Sequence, residues 1–488
     1  MKRLAAPAAI VLLAIGISFL PALRAKYTNW DDPEYVGAAR QSLRGLCTSI
    51  VSGHYHPLTM LSLGLDYRLF GMNPTEMHVV NVALHALTSL LILWLLYELS
   101  GSVIGALAGA LFFAIHPLRV ESVAWISDRK DVLMGAFFAA ALLTYLAHLR
   151  RGVSLGWTYL FFIFALLSKM TAVTLPFVLL LIDMIERGRP KIIDKIPMAL
   201  ISIGASLAAV KALRPAGAVP LHYVFNPFER VLLSAHALVM TISREIVPLN
   251  LSAYYLYKPV GAADWLSAAA ILILAIAVIA SVRRFPRIFS GIAFFVVAIG
   301  PMLPLMATGE TIIADRYTYV PSIGLAFLVT IGVAALQART AIAAIVAGSL
   351  LLGAMTWQRS AVWHDAHTLW LSVIDYDPAV PVAWNNLAVA RMSDGDFTGG
   401  FYAIGRAIAL NPCYILARRN RAQWFYDMQR YDLEQPEVEQ MLRCRPNSDV
   451  AWEMKGNLLK KTGHLAEAEL CFRRAREIRG LHLATSNR

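Results

Sequence analysis

Two adjacent carboxylates lie just after the first apolar run of the chain. Asp31 and Asp32 occur in the segment YTNWDDPEYV (27–36), directly behind the apolar stretch 4–23. One alternative is structural, because Asp before Pro33 suits the first turn of a helix. A single aspartate would satisfy that role. The pair therefore favours a catalytic carboxylate, with either Asp31 or Asp32 as the general base.

A second acidic and basic cluster follows in the segment IHPLRVESVAWISDRKD (115–131). His116 precedes Pro117, and alone this dipeptide is typical of an ordinary helix end. Glu121 follows within five residues, and the segment ends in a dense run of charges. We therefore include His116 and Glu121 among the candidate catalytic residues.

Three cations near the ends of apolar runs are candidates for binding a phosphate group: Arg129, Lys169 and Arg316. Ionisable groups at bilayer depth are costly, so their positions are functional hypotheses. Lys169 either extends to the membrane interface or faces a lipid phosphate. Arg316 either pairs with Asp315 or Glu310, or holds a phosphate with its guanidinium group.

Together these residue types predict transfer from a donor that is linked to a lipid phosphate. The carboxylate would take a proton from an acceptor hydroxyl, while the cations stabilise the departing phosphate. This chemistry needs no metal or other cofactor. A divalent ion bound by Asp31 and Asp32 stays open as an alternative.

The composition predicts an all-α polytopic membrane protein. Of the 488 residues, 58% are hydrophobic and only 16% are charged, which excludes an ordinary soluble globular protein. The net charge of +12 is explained by loops on the cytoplasmic side, so nucleic acid is not an expected partner.

The apolar runs predict about eleven spans in residues 1–356. They are placed at 4–23, 78–98, 102–116, 131–149, 157–168, 170–185, 196–213, 264–282, 288–306, 318–336 and 341–356. Basic clusters fall on one side of this arrangement, which predicts that side as cytoplasmic. All candidate residues then face the outside. The run 231–247 is expected to lie at the membrane interface, and if it crosses, the C-terminal tail changes sides.

Residues 357–488 form the predicted second domain, on the outer side. Pro378, Pro412 and Pro446 recur at a spacing of 34 residues, which is the tetratricopeptide period. Such repeats stack into a solenoid with a concave surface, so a docked peptide or protein is expected. The four cysteines have no metal-ligand spacing, and a Cys413–Cys444 bridge requires a tail outside the cytoplasm.

Several motifs, taken in their order along the chain, resemble those of a known family. They are NWDDPEYV, HPLTMLSLGLDYRLFG, AIHPLRVESVAWISDRKDVL, SKMTAVTLPFVLLLIDM and ADRYTYVPSIGL, followed by the repeats. The chain resembles the membrane glycosyltransferases of the GT-C fold, and among them the O-mannosyltransferases with tetratricopeptide repeats.

The resemblance implies a polyprenyl-phosphate-linked sugar as donor, a hydroxyl of a protein, peptide or glycan as acceptor, and inversion at the anomeric carbon. The family's catalytic acidic residue maps onto Asp31, with Asp32 beside it. The His and acidic residue of its second outer loop map onto His116 and Glu121. The few repeats set this chain apart from eukaryotic members and leave the acceptor open. We expect a bacterial inner-membrane protein with its tail in the periplasm.

Two other classes of function compete with the enzyme. One is a membrane-anchored scaffold for protein or envelope-glycan assembly, in which the spans only tether the repeats. This alternative requires no buried charges. The other is a transporter, which would have polar groups in broken helices near the bilayer midplane, whereas the charges here gather at one face.

Overall fold

The computed structural model describes residues 2–213, 225–305 and 311–486, whose regular secondary structure is helical apart from two isolated β-bridges. The prediction of an all-α fold is confirmed for these residues. The chain divides into two compact units, Met1–Asp365 and Ala366–Arg488. The division comes later than the predicted boundary at residue 356 because the last helix of the first unit continues to Val362.

Sixteen α-helices make up the described part of the first unit. They are α1 (Ala5–Ser18), α2 (Asp32–Ala38), α3 (Leu43–Thr48), α4 (Pro57–Phe70), α5 (Pro74–Ser100), α6 (Val103–Ala114), α7 (Val120–Ala124), α8 (Arg129–Arg151), α9 (Gly156–Ser168), α10 (Leu175–Arg187), α11 (Ile196–Leu213), α12 (Pro227–Ile246), α13 (Ala262–Ser281), α14 (Pro286–Ile299), α15 (Ser322–Ala334) and α16 (Ala338–Val362).

Four helical segments are long and apolar enough to cross a membrane: α5, α8 with the turn before it, α13 and α16. A fifth arises if α6 and the helical segment Pro117–Ala124, which meet at an angle of 51°, count as one bent span. Pro117 explains this bend, since proline cannot donate a backbone hydrogen bond. These helices make the chain an integral membrane protein. The total of about eleven spans stays a prediction.

Several predicted spans are shorter or interrupted in the structure. The run 4–23 contains the 14-residue helix α1, and the run 170–185 begins with the 3₁₀ turn Met170–Thr174 before α10. Residues 231–246 of the predicted interfacial run 231–247 lie in α12, whose buried face includes Leu233 and Ala237, and Val247 follows the end of the helix. Residues 214–224 and 309–310 of the predicted outer segments lie outside the described residues.

Close helix contacts fix the part of the bundle that carries the candidate site. Gly135 on α8 lies against the ring of Tyr319, and a Cβ atom there would come within 2.5 Å of that ring. Tyr319 in turn donates or accepts a hydrogen bond of 2.7 Å with the buried His85. The start of α8 is thereby held against the segment that follows Arg316.

The second unit is a series of helices in consecutive pairs. They are α17 (Ala366–Tyr376), α18 (Pro381–Ser393), α19 (Phe397–Leu410), α20 (Ile415–Asp427), α21 (Tyr431–Cys444), α22 (Asp449–Lys461) and α23 (Leu465–Ser486). The pair α18 and α19 buries small residues such as Ala388, Ala403 and Ala407.

The three prolines at the predicted period occupy equivalent positions. The carbonyl oxygens of Pro378 and Pro446 accept hydrogen bonds of 2.9 and 2.8 Å from the indoles of Trp384 and Trp452. The carbonyl of Pro412 accepts a bond of 2.6 Å from Arg418, which stands at the corresponding position. The structural repeat thus follows the sequence period, while the tetratricopeptide assignment stays a prediction.

Cys413 and Cys444 form a disulfide with a Cα–Cα distance of 5.6 Å, while Cys47 and Cys471 are free. The conditional bridge named from the sequence is therefore present in the structure. Disulfides persist in oxidising compartments, so this bond favours a location of the second unit outside the cytoplasm.

We expect replacement of Cys413 and Cys444 by Ser to lower the free energy of unfolding of the second unit by about 3–4 kcal/mol, because the bond closes a loop of 31 residues. The measurement is limited proteolysis and thermal unfolding of the full-length protein. Cys47→Ser is the control, since Cys47 is exposed and unbonded. Reaction of all four cysteines with a maleimide in the unreduced native protein would contradict the bond.

Candidate active site

The carboxylate of Asp32 is buried and fully hydrogen-bonded. Its Oδ2 accepts bonds of 2.8 and 2.9 Å from the backbone N–H and hydroxyl of Thr28. Its Oδ1 accepts bonds from the N–H and hydroxyl of Ser127, 95 residues along the chain. Asp32 is only 1% exposed. It therefore joins the loop after α1 to the segment before α8, which is a structural role.

The neighbouring Asp31 has a different environment. It lies at the start of α2 and is half-buried, but its side chain makes no capping hydrogen bond to that helix. Burial raises the pKa of the Asp31 carboxyl, although the nearby charges of Lys130 and Arg316 lower it. Asp31 is thus the carboxylate of the pair that remains able to accept a proton.

The start of α8 brings three charged residues into the same region. The ammonium of Lys130 lies 3.1 Å from the buried carboxylate of Asp128 and 4.9 Å from the ring centre of Tyr35. Asp131 accepts a hydrogen bond of 3.1 Å from Ser122 and forms an ion pair of 2.5 Å with Lys169. The two outer segments that carry Asp131 and Lys169 are therefore in direct contact.

Glu121 positions Arg316. Its carboxylate forms a buried ion pair with the Arg316 guanidinium and also accepts a bond of 3.1 Å from the Arg316 backbone N–H. The guanidinium lies 5.8 and 5.4 Å from the ring centres of Trp30 and Trp125, which stack on each other. Arg316 is thus held beside Asp31 by a carboxylate and by aromatic faces. The alternative partner Asp315 binds Tyr255 instead, and Glu310 lies outside the described residues.

A narrow cleft opens next to these groups, and we call it the site cleft; its empty volume of about 300 Å³ includes open solvent, and about 10 Å³ of it is accessible to a water-sized group. Both Lys169 and Arg316 line it, together with Asp131. The remaining lining residues are Met134, Thr171, Thr174, Ala298, Met302, Tyr317, Val320 and Pro321. Residues from four separate segments of the chain therefore surround one space.

Two histidines of the motif HYHPL approach the same cations. Burial, together with the charges of Lys130 and Lys169, lowers the pKa of His54 to about 4. Burial also lowers the pKa of His56 well below its usual value, and its ring stacks on Tyr35 at 5.3 Å between centres. Both imidazoles are consequently neutral at pH 7. They add hydrogen-bonding groups to this region without adding charge.

The structure places His116 and Arg129 away from the site cleft. The ring of His116 is buried, with Nε2 bonded to the Glu245 carbonyl at 3.1 Å and Nδ1 accepting from the Leu118 N–H at 3.3 Å. This arrangement gives His116 the role of an end-of-helix residue, which was the structural alternative.

Arg129 forms a buried ion pair with Asp66 and donates further hydrogen bonds to the Asn81 side chain at 2.7 Å and the Met77 carbonyl at 2.8 Å. Its guanidinium is therefore committed to holding α4 and α5 together. The prediction that Arg129 contacts the donor phosphate does not fit this geometry. The adjacent Lys130, which sequence reasoning did not select, is the cation of this segment whose charge lowers the pKa of Asp31.

A divalent metal bound between Asp31 and Asp32 does not fit either. Each oxygen of Asp32 already accepts two hydrogen bonds from N–H and O–H donors, which leaves no lone pair for an ion. The positive charges of Lys130 and Arg316 would also oppose a cation near Asp31.

Comparison with known proteins connects this geometry to a family. Residues 56–212 match the family described as dolichyl-phosphate-mannose-protein mannosyltransferase. The protein O-mannosyl-transferase Tmtc1 of Drosophila melanogaster is 37% identical over 25% of this chain and 14% of its own length. The protein O-mannosyl-transferase tmtc2 of Xenopus laevis is 42% identical over 21% of this chain and 12% of its own length.

A longer match extends over more of the chain. The protein O-mannosyl-transferase TMTC4 of Mus musculus is 26% identical over 66% of this chain and 54% of its own length. The chain thus spans about an eighth to half of the length of these relatives. A crystal structure of ArnT from Cupriavidus metallidurans bound to undecaprenyl phosphate covers 83% of this chain and 76% of its own, with 12% identity and a TM-score of 0.41, which is too low to establish a shared fold.

The sequence similarity includes the segments that carry His56, Lys130 and Lys169. The resemblance to the protein O-mannosyltransferases that the motifs indicated is thereby confirmed.

Proposed function

We propose that this protein transfers a sugar from a polyprenyl-phosphate-linked donor to a hydroxyl group of a protein or glycan at the outer face of the membrane. Asp31 acts as the general base. Lys130, Lys169 and Arg316 surround the departing phosphate. The observation that carries the proposal is the contrast within the acidic pair, in which Asp32 is saturated with hydrogen bonds while Asp31 is not.

The environment of Asp31 supports a base at neutral pH. Its raised pKa makes it a stronger proton acceptor than an ordinary aspartate, and Lys130 and Arg316 still favour its ionised form before substrate binds. A carboxylate that already accepted several hydrogen bonds would lose them on protonation. Asp32 is in that situation, so it is poorly suited to take a proton.

The cations that line the site cleft support a phosphate leaving group. Lys169 and Arg316 each have one carboxylate partner, Asp131 and Glu121, which hold them in place. Arg316 retains further N–H donors, because a guanidinium carries five. A fixed arrangement of donors stabilises charge that develops in the transition state without reorganisation. Glu121 is on this account a positioning residue and not a proton donor.

In the proposed step the acceptor oxygen attacks the anomeric carbon as Asp31 takes its proton. The bond from that carbon to the phosphate oxygen breaks, and its electron pair leaves with the polyprenyl phosphate, whose added negative charge is balanced by the surrounding cations. One displacement inverts the anomeric configuration. Protonated Asp31 then returns its proton to water. No metal takes part in this sequence of bond changes.

We further propose that the site lies on the outer side of the membrane and that the second unit binds the acceptor. The Cys413–Cys444 disulfide supports an oxidising environment for that unit. The repeated register of its helix pairs supports an extended binding surface for a peptide or protein.

Asp31→Asn and Asp32→Asn are expected to separate catalysis from structure. Asp31→Asn removes the base and should lower product formation by roughly 10²- to 10⁴-fold without a change in thermal midpoint. Asp32→Asn leaves buried donors of Thr28 and Ser127 poorly paired, so it should destabilise the protein by roughly 1–3 kcal/mol. The measurements are mass spectrometry of glycans and glycoproteins in a deletion strain that carries each variant, and thermal unfolding of purified protein.

Glu34→Gln is the matched control, because Glu34 is an exposed carboxylate on the same helix. It should support normal product levels. A folded Asp31→Asn variant with an unchanged glycan and glycoprotein profile would contradict the proposal and leave the membrane-anchored scaffold as the better account.

The pH dependence should report the charges around Asp31. Because its folded pKa is raised, the rate should fall on acidification at a pH above about 4, the value of an ordinary aspartate. Lys130 lowers the pKa of Asp31, so Lys130→Gln should move this fall to higher pH. The charge of Glu34 raises the pKa of Asp31, so Glu34→Gln should move the loss of rate on acidification to lower pH.

The measurement is the rate of sugar transfer in membrane vesicles that contain their own lipid-linked donor, normalised to the plateau at high pH. Shifts of the same sign for both variants, or no shift for either, would mean that Asp31 is not the titrating group. The Glu34 variant keeps this test valid even if the Lys130 variant fails to fold.

A further inference from the structure

A second cavity lies far from the site cleft, between α5, α8 and α9. It has an empty volume of about 730 Å³, its open side included, and we call it the furrow. Leu91 and Trp94 of α5 form one wall, Phe161 of α9 forms the other, and Leu143 of α8 contributes to the floor. Most of its lining is apolar, and about 280 Å³ of the space is accessible to a water-sized group, which is close to the lower end of the range of ligand sites.

The furrow exists because α8 carries small side chains where the two walls separate. Ala140, Thr144 and Ala147 follow one another at intervals of four and three residues, so they share one face of the helix. The Thr144 hydroxyl is bonded to the Ala140 carbonyl at 2.9 Å and therefore presents its methyl group to the space. An elongated apolar space is left beside α8.

One end of the furrow is charged. All three guanidinium nitrogens of Arg150 donate hydrogen bonds to protein, with two bonds of 2.7 Å to Glu186 and further bonds to Glu98. Arg151 makes a single bond of 2.9 Å to Glu98, and its side chain is 58% exposed. Arg187, which directly follows Glu186, is exposed as well. Glu98 and Glu186 balance the charges of Arg150 and Arg151, but Arg151 keeps exposed N–H donors beyond its one bond, and Arg187 adds a further positive charge near the mouth of the furrow.

This end belongs to the opposite membrane surface from the site cleft. Lys130 and Asp131 stand at the first turn of α8, whereas Arg150 and Arg151 are the last two of its 23 residues. At 1.5 Å per residue the helix is roughly 33 Å long, about the thickness of the hydrocarbon core. A ligand in the furrow would accordingly come from the leaflet that faces away from the site cleft.

We propose that the furrow binds an anionic phospholipid of that leaflet, with one acyl chain along Ala140, Thr144 and Ala147 and the headgroup phosphate on Arg151. The apolar walls match an acyl chain, and Trp94 beside Glu98 has the apolar body and bonded indole N–H that suit the boundary between chain and headgroup. Basic pockets between membrane helices recognise anionic headgroups in this way. The site is independent of the proposed sugar transfer.

The test uses the full-length protein in phosphatidylcholine vesicles with a small fraction of a photoactivatable probe. The probe is phosphatidylglycerol with a diazirine near the end of one acyl chain, and its phosphatidylcholine counterpart is the comparison. Labelled residues are mapped by mass spectrometry. We expect labelling at the furrow positions of α5 and α8, with an excess of the anionic probe over the zwitterionic one.

Two variants probe the two parts of the ligand. Arg151→Gln should reduce the excess of the anionic probe about fivefold, the effect of one positive charge at a membrane surface. Ala147→Phe should fill the furrow and remove labelling there for both probes. The matched controls are Arg339→Gln, at an exposed arginine that begins α16, and Ala275→Phe, at an exposed position of α13. Both should retain wild-type labelling.

Unchanged preference for the anionic probe in Arg151→Gln would overturn the headgroup assignment, and persistent labelling in Ala147→Phe would overturn the acyl-chain assignment. Displacement of the probe by a polyprenyl phosphate but not by unlabelled phosphatidylglycerol would show that the occupant is a different lipid and would also refute the proposal. None of these results bears on Asp31, because sugar transfer is measured separately.

Discussion

The ion pair between Glu121 and Arg316 joins two outer segments that are 195 residues apart in sequence. Both side chains are largely shielded from water, so each would be costly to bury alone, and removal of either partner would leave an uncompensated charge. The pair therefore requires the two segments to meet. The ion pair between Asp131 and Lys169 likewise requires the two segments that carry these residues to meet. Desolvation thus explains why residues scattered along the chain surround one cleft.

The same constraint separates structural from reactive charges. Asp32, Glu121 and Arg129 have their hydrogen-bonding capacity directed at protein partners, and this satisfaction suits them to hold loops in place. Asp31 and the outward part of Arg316 are held in position by such groups but are not saturated by them. A site that must exchange a proton and bind a departing phosphate needs both groups that are saturated with hydrogen bonds and groups that are not. On the proposed function, the buried bonds fix the geometry, and the unsaturated groups accept the proton and bind the phosphate.

The sequence could predict the helical class, the two units and the segments that form the site, because apolar periodicity and punctuation are local properties. It placed Asp31, Glu121, Lys169 and Arg316 in segments that do converge. It could not choose between Arg129 and Lys130, since consecutive residues on a helix point about 100° apart and the phase depends on where α8 begins. Nor could the sequence show that Arg129 forms an ion pair with Asp66, or that the ring of His116 is hydrogen-bonded to the Glu245 carbonyl, because those partners are distant in sequence. The sequence also could not give the length of each helix: α6 ends at Ala114, and the chain bends before the next helical segment, which begins at Pro117.

Helix α8 links the two lipid-facing features of the first unit. Its first turn supplies Asp131 to the site cleft, with Lys130 directly before it in the chain, and its last turn supplies Arg150 and Arg151 to the furrow. The charges at its N-terminal end are buried and paired across loops, whereas Arg151 at the other end remains exposed. A rigid helix about as long as the hydrocarbon core, with a charged group at each end, fixes its own depth in the bilayer. On the proposed function, this helix would hold the site cleft near the level of lipid phosphates, where a polyprenyl-phosphate donor would present the bond to be broken.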